Sequence, residues 1–318
     1  MGSIGIIGAT GAVGQAIAGV LRSQERPYVA IGRDLGRLEA LFGTDPQATC
    51  RVWDTQSAES LAPALAGAES AVYAIGVEYW KFALHPVLMR RALDGARAAG
   101  VRRLLLIGTV YPYGHPRTTP VSESHPREPQ TYKGKMRKEQ EDLVLAAHAP
   151  GTFETVVLRL PDLYGPGMEK SFMTSAFANA PLGKAATLLG PIDRPHEFAF
   201  IPDCANVALR VLDEPRAYGR YWNYGGPGQI TQRAFADEIY EQCGTTPRYH
   251  IASKMMLRAL GLFSPIMREL VEMNYLVTDP VIMDDSQLEA LIGDLAKTPY
   301  AEGIGRTIAA SPNASALR

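Results

Sequence analysis

The run Gly8-Ala9-Thr10-Gly11-Ala12-Val13-Gly14 has the residue types and spacing to hold a phosphate group. It follows the apolar stretch Ile4 to Ile7, and after it Val13, Ile17, Val20 and Leu21 recur at helical spacing, so a strand passes directly into a helix. With glycine at 8, 11 and 14 no side chain separates the backbone from a ligand. The amide N–H groups of this turn, Thr10, Ala12 and Val13 included, can then approach a diphosphate at the positive end of the new helix. The spacing is G-x-x-G-x-x-G rather than G-x-G-x-x-G, and the competing explanation is a helix entry that needs glycine only for backbone freedom.

In a dinucleotide-binding sheet, the residue that meets the adenosine ribose lies about 20 positions beyond the last glycine, at the end of the second strand. That register falls on Arg33. An acidic side chain there would bind the ribose 2′-hydroxyl, whereas a guanidinium offers paired donors to a 2′-phosphate, so NADP(H) is the expected cofactor and NAD(H) the alternative. A register one residue longer would give the ribose to Asp34 instead, and a solvated loop charge at Arg33 is the plainer case. Asp54, directly after the third strand, is placed either to contact the adenine amino group or to cap the next helix.

Around these residues the chain of 318 residues is 46% hydrophobic and 20% charged, with a formal net charge of −1. It can bury a substantial core and form two lobes. The balanced charge favours neither nucleic acid nor a membrane surface, so specificity must come from a pocket. Cys50, Cys204 and Cys243 are widely spaced and odd in number, which fits reduced thiols, and no His, Cys and carboxylate set has metal-ligand spacing, so no metal is expected. With no apolar run of about 18 residues and no basic-then-apolar start, a cytoplasmic protein is expected.

Apolar strands are expected at Ile4–Ile7, Tyr28–Ile31, Cys50–Trp53, Ala71–Ile75, Arg103–Ile107 and Thr155–Leu160, with helices between them, notably Pro86–Ala99 and Lys133–Ala147. This alternation predicts an α/β fold: a Rossmann-type doubly wound parallel sheet covered on both faces. Beyond Leu160, prolines at 161, 166, 181, 191, 195 and 202 mark a change of architecture. Short strands are expected at Phe198–Ile201 and Tyr221–Tyr224, and a helix at Asp203–Leu212 capped by Asp203. Thr231 is placed to cap a helix ending near Cys243, and Met255, Met256, Met267 and Met273 to fill a mostly helical second lobe. The expected division is residues 1–165 for dinucleotide binding, with 197–228 returning to that domain, 166–196 and 229–310 for the substrate lobe, and 311–318 as a tail.

Several ordered motifs together resemble the extended short-chain dehydrogenase/reductase superfamily, the NAD-dependent epimerase/dehydratase family. They are the glycine turn, Gly108-Thr109-Val110-Tyr111-Pro112-Tyr113-Gly114, Leu158-Arg159-Leu160-Pro161-Asp162-Leu163-Tyr164-Gly165-Pro166-Gly167, Phe200-Ile201-Pro202-Asp203-Cys204-Ala205 and Trp222-Asn223-Tyr224-Gly225-Gly226. The resemblance implies that Ala74, Ile75 and Gly76 after the fourth strand, and Pro161 after the sixth, contact the dinucleotide. It makes Thr109 the hydroxyl that hydrogen-bonds the reacting oxygen.

The family's Tyr-x-x-x-Lys pair is where this sequence departs. Counting back from Glu141-Asp142-Leu143-Val144-Leu145-Ala146-Ala147, the tyrosine position holds Lys133 and the lysine position Arg137. Arg137 can bridge ribose hydroxyls but keeps its proton. Lys133 can serve as acid/base, or touch the cofactor, if its surroundings favour a neutral amine. Tyr132, one residue earlier and three before Lys135, and Tyr113 and Tyr111 in the preceding loop are the other candidate acids. Tyr79, Trp80, Tyr111, Asp162 and His196 are candidate substrate contacts. Tyr79 and Trp80 can equally cover the sheet edge or join a subunit contact, and His196 can be structural, while His85 and His115 read as solvated or capping residues.

Three functions fit this reading. The first is an NADP(H)-binding oxidoreductase or epimerase acting on a small carbonyl, hydroxyl or sugar-like compound. The second is a non-redox lyase or isomerase built on Lys133, and the third a non-catalytic NADP(H)-sensing regulator. A homodimer through Pro86–Ala99 and Lys133–Ala147, as in many relatives of this kind, is compatible with the sequence.

Overall fold

Strands that are apolar on both faces can be satisfied only between two layers of helices, and the chain builds that arrangement. In the computed structural model, which describes residues 2–57, 59–260, 269, 271–295 and 297–311, six parallel strands alternate with helices. They are β1 (Ser3–Ile7), β2 (Tyr28–Gly32), β3 (Ala48–Val52), β4 (Ala68–Tyr73), β5 (Arg103–Thr109) and β6 (Glu154–Leu160). The connecting helices are α1 (Ala12–Ser23), α2 (Leu35–Phe42), α3 (Leu61–Ala64), α4 (Leu84–Ala98) and α5 (Tyr132–Ala146).

A later strand, β11 (Tyr221–Asn223), pairs in parallel with β6. The seven-stranded order is β11-β6-β5-β4-β1-β2-β3, so the strand order reverses at β1, between β2 and β4. At this point β1 is in register with both neighbours, Ile6 facing Ala30 on one side and Val72 on the other. Crossover helices must leave the two sides in opposite directions there, which opens a crevice at the carboxyl ends of the strands. One buried layer joins α1 to α7 (Ile201–Asp213) through Ile17, Leu21, Val207 and Val211, and the other joins α3 and α4 to the sheet through Leu65, Met89 and Leu93.

The smaller pieces lie past β6. Strand β7 (Asp162–Tyr164) pairs with β10 (Phe198–Phe200), β8 (Ala186–Leu189) with β13 (Tyr249–Ala252), and β9 (Pro195–His196) with β12 (Ile230–Thr231). Helices α6 (Thr174–Asn179), α8 (Gln232–Gln242) and α9 (Lys254–Leu260), with Tyr275–Thr278, Ser286–Ile292 and Tyr300–Ala309, complete the described residues. Phe198, Phe235, Tyr164 and Ile304 form a separate core among them.

Several local expectations need correction. The helix expected at Asp203 starts two residues earlier at Ile201, and Asp203 instead accepts from the Thr298 amide (2.7 Å) and hydroxyl (2.9 Å). Thr231 does cap α8, accepting from Ala234 N at 3.0 Å. Met273 is buried, but Met255 is 79% and Met256 48% exposed, because α9 turns that face outward. Met267 and all of the expected tail except Ser311 lie outside the described residues. Cys204 and Cys243 are buried thiols and Cys50 is half-buried. Among the described residues no helix is long and apolar enough to cross a membrane.

Candidate active site

The glycine turn sits at the point where the strand order reverses. Gly8 has φ +96°, and a Cβ there would lie 3.0 Å from the Ala74 carbonyl carbon and the Ile75 amide nitrogen, so a side chain is barred by both strain and space. At Gly14 a Cβ would meet Gly8 O at 2.5 Å, because α1 packs directly on the turn that starts it. Gly11 leads into α1 as its N-cap and offers no side-chain cap, which leaves first-turn N–H groups directed at the crevice.

Two connected hollows run from this turn and share Thr10, Gly11 and Ala74 to Val77. The first, of about 560 Å³, extends past Gly32 and Arg33 to Trp53, Thr55 and Gln56. The second, of about 420 Å³, extends past Ala12 and Val13 to Thr109, Tyr111, Arg137 and Pro161. A continuous trough of this size, with bare amides at its middle and a guanidinium at one end, fits a dinucleotide.

At the first end, Arg33 is exposed and has no hydrogen-bond or ion-pair partner among the described residues. Asp34 instead caps α2, its carboxylate accepting from Arg37 N at 3.1 Å. Arg37, which the sequence reading did not single out, also lines the trough. The Asp54 carboxylate turns back on its own loop to accept from Gln56 N at 2.9 Å, and Trp53, Thr55 and Gln56 face the trough in its place.

At the second end, Thr109 closes β5 within the hollow, and the Tyr111 amide lies 3.4 Å from its hydroxyl. Tyr79 and Tyr111 are the phenols that face this hollow, next to Phe82, whose ring stacks on Tyr111 at 6.3 Å. Burial raises the pKa of both phenols, and their mutual contact lowers that of Tyr79 while raising that of Tyr111 further, so both stay protonated. Asp162 adds negative charge near Tyr111 and is hydrogen-bonded to His196 Nε2 at 2.6 Å. Neither Asp162 nor His196 lies along the walls of the hollow.

The other candidate tyrosines stand elsewhere. Tyr132 opens α5 with 53% of its surface exposed, because Thr131 caps the helix one residue before it and points Tyr132 to solvent. Tyr113 is buried, donating to Asn223 Oδ1 at 2.8 Å, with burial pushing its pKa up to about 12. Trp80 is 51% exposed and does not line the trough.

Lys133 is fully buried, yet it is not among the lining residues. Its ammonium pairs with Glu269 and, at 2.7 Å, with Glu272, and its amide donates to Glu272 Oε1 at 2.9 Å. Surroundings that would favour a neutral amine are not what the structure shows: two carboxylates from more than 130 positions downstream face the ammonium. Arg137, one turn further on, does line the hollow. It donates to His85 Nδ1 (3.2 Å) and to the Ile107 carbonyl (3.1 Å). His85, read as solvated or capping, is 3% exposed, and burial followed by the Arg137 charge pushes its pKa down to about 2. A neutral histidine at that spacing on α4 carries no sequence signal.

The fold and trough together define a Rossmann-type protein shaped for a pyridine dinucleotide. The family model of the NAD dependent epimerase/dehydratase family matches residues 4–225, and the chain belongs to that family, of the extended short-chain dehydrogenase/reductase type. It is an enzyme of the oxidoreductase/epimerase class. A curated relative, dTDP-6-deoxy-L-talose 4-dehydrogenase (NAD(P)(+)) of Kitasatospora kifunensis, is 24% identical over 76% of this chain and 79% of that protein. Among solved structures, dTDP-glucose 4,6-dehydratase from Bacillus anthracis in complex with NAD matches with TM-score 0.80 at 15% identity, covering 97% of this chain and 96% of that one. UDP-glucuronic acid 4-epimerase from Bacillus cereus in complex with NAD matches with TM-score 0.79 at 15% identity, covering 99% and 100%. At these identities the structural likeness is one of fold.

Proposed function

We propose that the chain is an NADP(H)-dependent oxidoreductase or epimerase acting on a sugar-like or other small hydroxyl or carbonyl compound. The observation that carries this reading is the continuous trough, with partner-free Arg33 at the adenosine end and Thr109 beside Tyr111 at the other. The curated relative's dehydrogenase activity and its use of NAD(P)(+) support it.

In this reading the amides of Ala12 and Val13 hold the diphosphate, and Arg33, with Arg37 nearby, receives the ribose 2′-phosphate. Ala74, Ile75, Gly76 and Pro161 wall the groove. The bound nicotinamide supplies or accepts hydride at the substrate carbon. Thr109 donates a hydrogen bond to the reacting oxygen, and Tyr111 stays protonated as a second donor, so charge developing on that oxygen meets prepared dipoles. Tyr79 and Phe82 offer an apolar wall to a ring.

The pairing of Lys133 with two acids removes the free amine that a Lys-based lyase would need, and this weighs against the non-redox alternative. A sensing protein without turnover is separated from an enzyme by one assay. Incubation of the protein with NADPH and a panel of sugar and small carbonyl compounds should give loss of near-ultraviolet absorbance, and Thr109→Val should suppress it. The reading fails if calorimetry detects no binding of either pyridine dinucleotide.

A further inference from the structure

Arg137 is 6% exposed, lines the same hollow as Thr109, and among the described residues has neither a carboxylate nor any other anion as hydrogen-bond or ion-pair partner. Both of its contacts are neutral. His85 is an uncharged acceptor, and the Ile107 carbonyl belongs to β5.

The carboxylates nearby have other partners. Glu141, one helical turn along α5, holds Arg159 through two bonds of 3.0 and 2.5 Å and also meets Arg127 at 3.4 Å. Glu269 and Glu272 hold Lys133, and Asp162 holds His196. Glu169 is a carboxylate on the wall of the hollow, but it is exposed.

A buried cation without a counter-ion costs several kcal/mol, and an anion bound in the hollow would offset that cost more fully than neutral partners do. The anionic groups of a dinucleotide are met elsewhere in the trough, at the glycine turn and at Arg33. A guanidinium has five N–H donors, and two are used by His85 and Ile107, so three remain for an oxyanion.

We infer that the substrate carries a carboxylate, which Arg137 grips next to the carbon whose oxygen Thr109 contacts. The ligand class is therefore a hydroxy or oxo acid, of uronic-acid or short-chain type, rather than a neutral sugar or alcohol. The inference rests on the preceding reading for its neighbours in the trough, but its charge argument is independent of which dinucleotide binds.

The test is calorimetry on the full chain loaded with NADP⁺, using matched probes: galacturonate against galactose, and 2-oxobutyrate against 2-butanone. Each acid should bind about tenfold more tightly than its neutral partner, Arg137→Met should erase that difference, and Arg137→Lys should retain part of it. The NADP⁺ dissociation constant should stay within about threefold of the wild type in both variants. Equal binding of acids and neutral partners by the wild type overturns the inference. So does loss of NADP⁺ affinity in Arg137→Met with the acid preference intact, which would make the guanidinium a ribose ligand. If the wild type binds neither dinucleotide, the cofactor reading fails separately. The same probe pairs titrated into ligand-free protein then decide the carboxylate site.

Discussion

Arg159 and Arg137 are both buried, and they teach different things about this molecule. Arg159, on β6, is clamped by both oxygens of Glu141 and lies between two aromatic rings, its guanidinium carbon 4.5 Å from the centre of Tyr113 and 3.6 Å from that of Tyr221. Its counter-ion comes from within the chain, so it serves the fold. Arg137 lies on the same helix as Glu141, four residues before it, yet faces a hollow and among the described residues hydrogen-bonds only to neutral groups. In the interior, charge is cancelled. Along the trough it is left over, and leftover charge marks where a ligand belongs.

The largest effect should come from breaking the cancelled pair. Glu141→Gln leaves Arg159 buried without its anion and should lower the unfolding free energy by about 3–5 kcal/mol, measured by denaturant titration. Arg137→Met, which has no ion pair to lose, should cost far less. A comparable loss in both variants would end the contrast.

Glu197 tests the interior from the acid side. It is 5% exposed and accepts from Met283 N at 3.0 Å, while the nearby cation Lys297 is engaged by Asp285 at 2.6 Å. Burial pulls its carboxyl up to about 7 from the ordinary 4.5. A raised folded-state pKa means that the protonated form stabilises the fold below the unfolded pKa, and that this contribution is lost as pH rises through the folded one. Stability should therefore fall by on the order of 3 kcal/mol between about pH 4.5 and 7, and Glu197→Gln should flatten that fall. An unchanged slope in thermal melts across this range would contradict it.

On the trough side, Thr109→Val should reduce kcat/KM for NADPH oxidation about 100-fold while leaving the melting temperature near that of the wild type. Arg33→Ser should weaken NADP⁺ binding about 10- to 100-fold and leave NAD⁺ binding unchanged, as read by calorimetry. Equal losses for both dinucleotides would detach Arg33 from the 2′-phosphate. Smallest of all, Tyr132→Phe should change stability by no more than about 0.5 kcal/mol and leave turnover unaltered, because this phenol belongs to neither region.

The sheet and the glycine turn were legible because they are local. Apolar runs, turn glycines and the register from Gly14 to Arg33 all lie within short windows, and the expected strands match β1 to β6 with boundary shifts of one to three residues. Motif order also located Thr109 and Pro161. Pairings across long separations were hidden. No periodicity reveals that Lys133 meets Glu269 and Glu272, that Tyr113 reaches Asn223 at a separation of 110 residues, or that His85 sits under Arg137. The exposed Tyr132 and the buried Tyr113 differ only in which way a helix or loop turns them, and that is decided by tertiary packing.

The two acids gripping Lys133 bear on how such a protein can change. The buried ammonium at residue 133 moors a distant stretch of chain to the start of α5. Replacing Lys133 by tyrosine would strand Glu269 and Glu272 without their cation. An uncharged residue at position 133 is therefore tolerable only if both glutamates change with it, so the three positions are tied to one another.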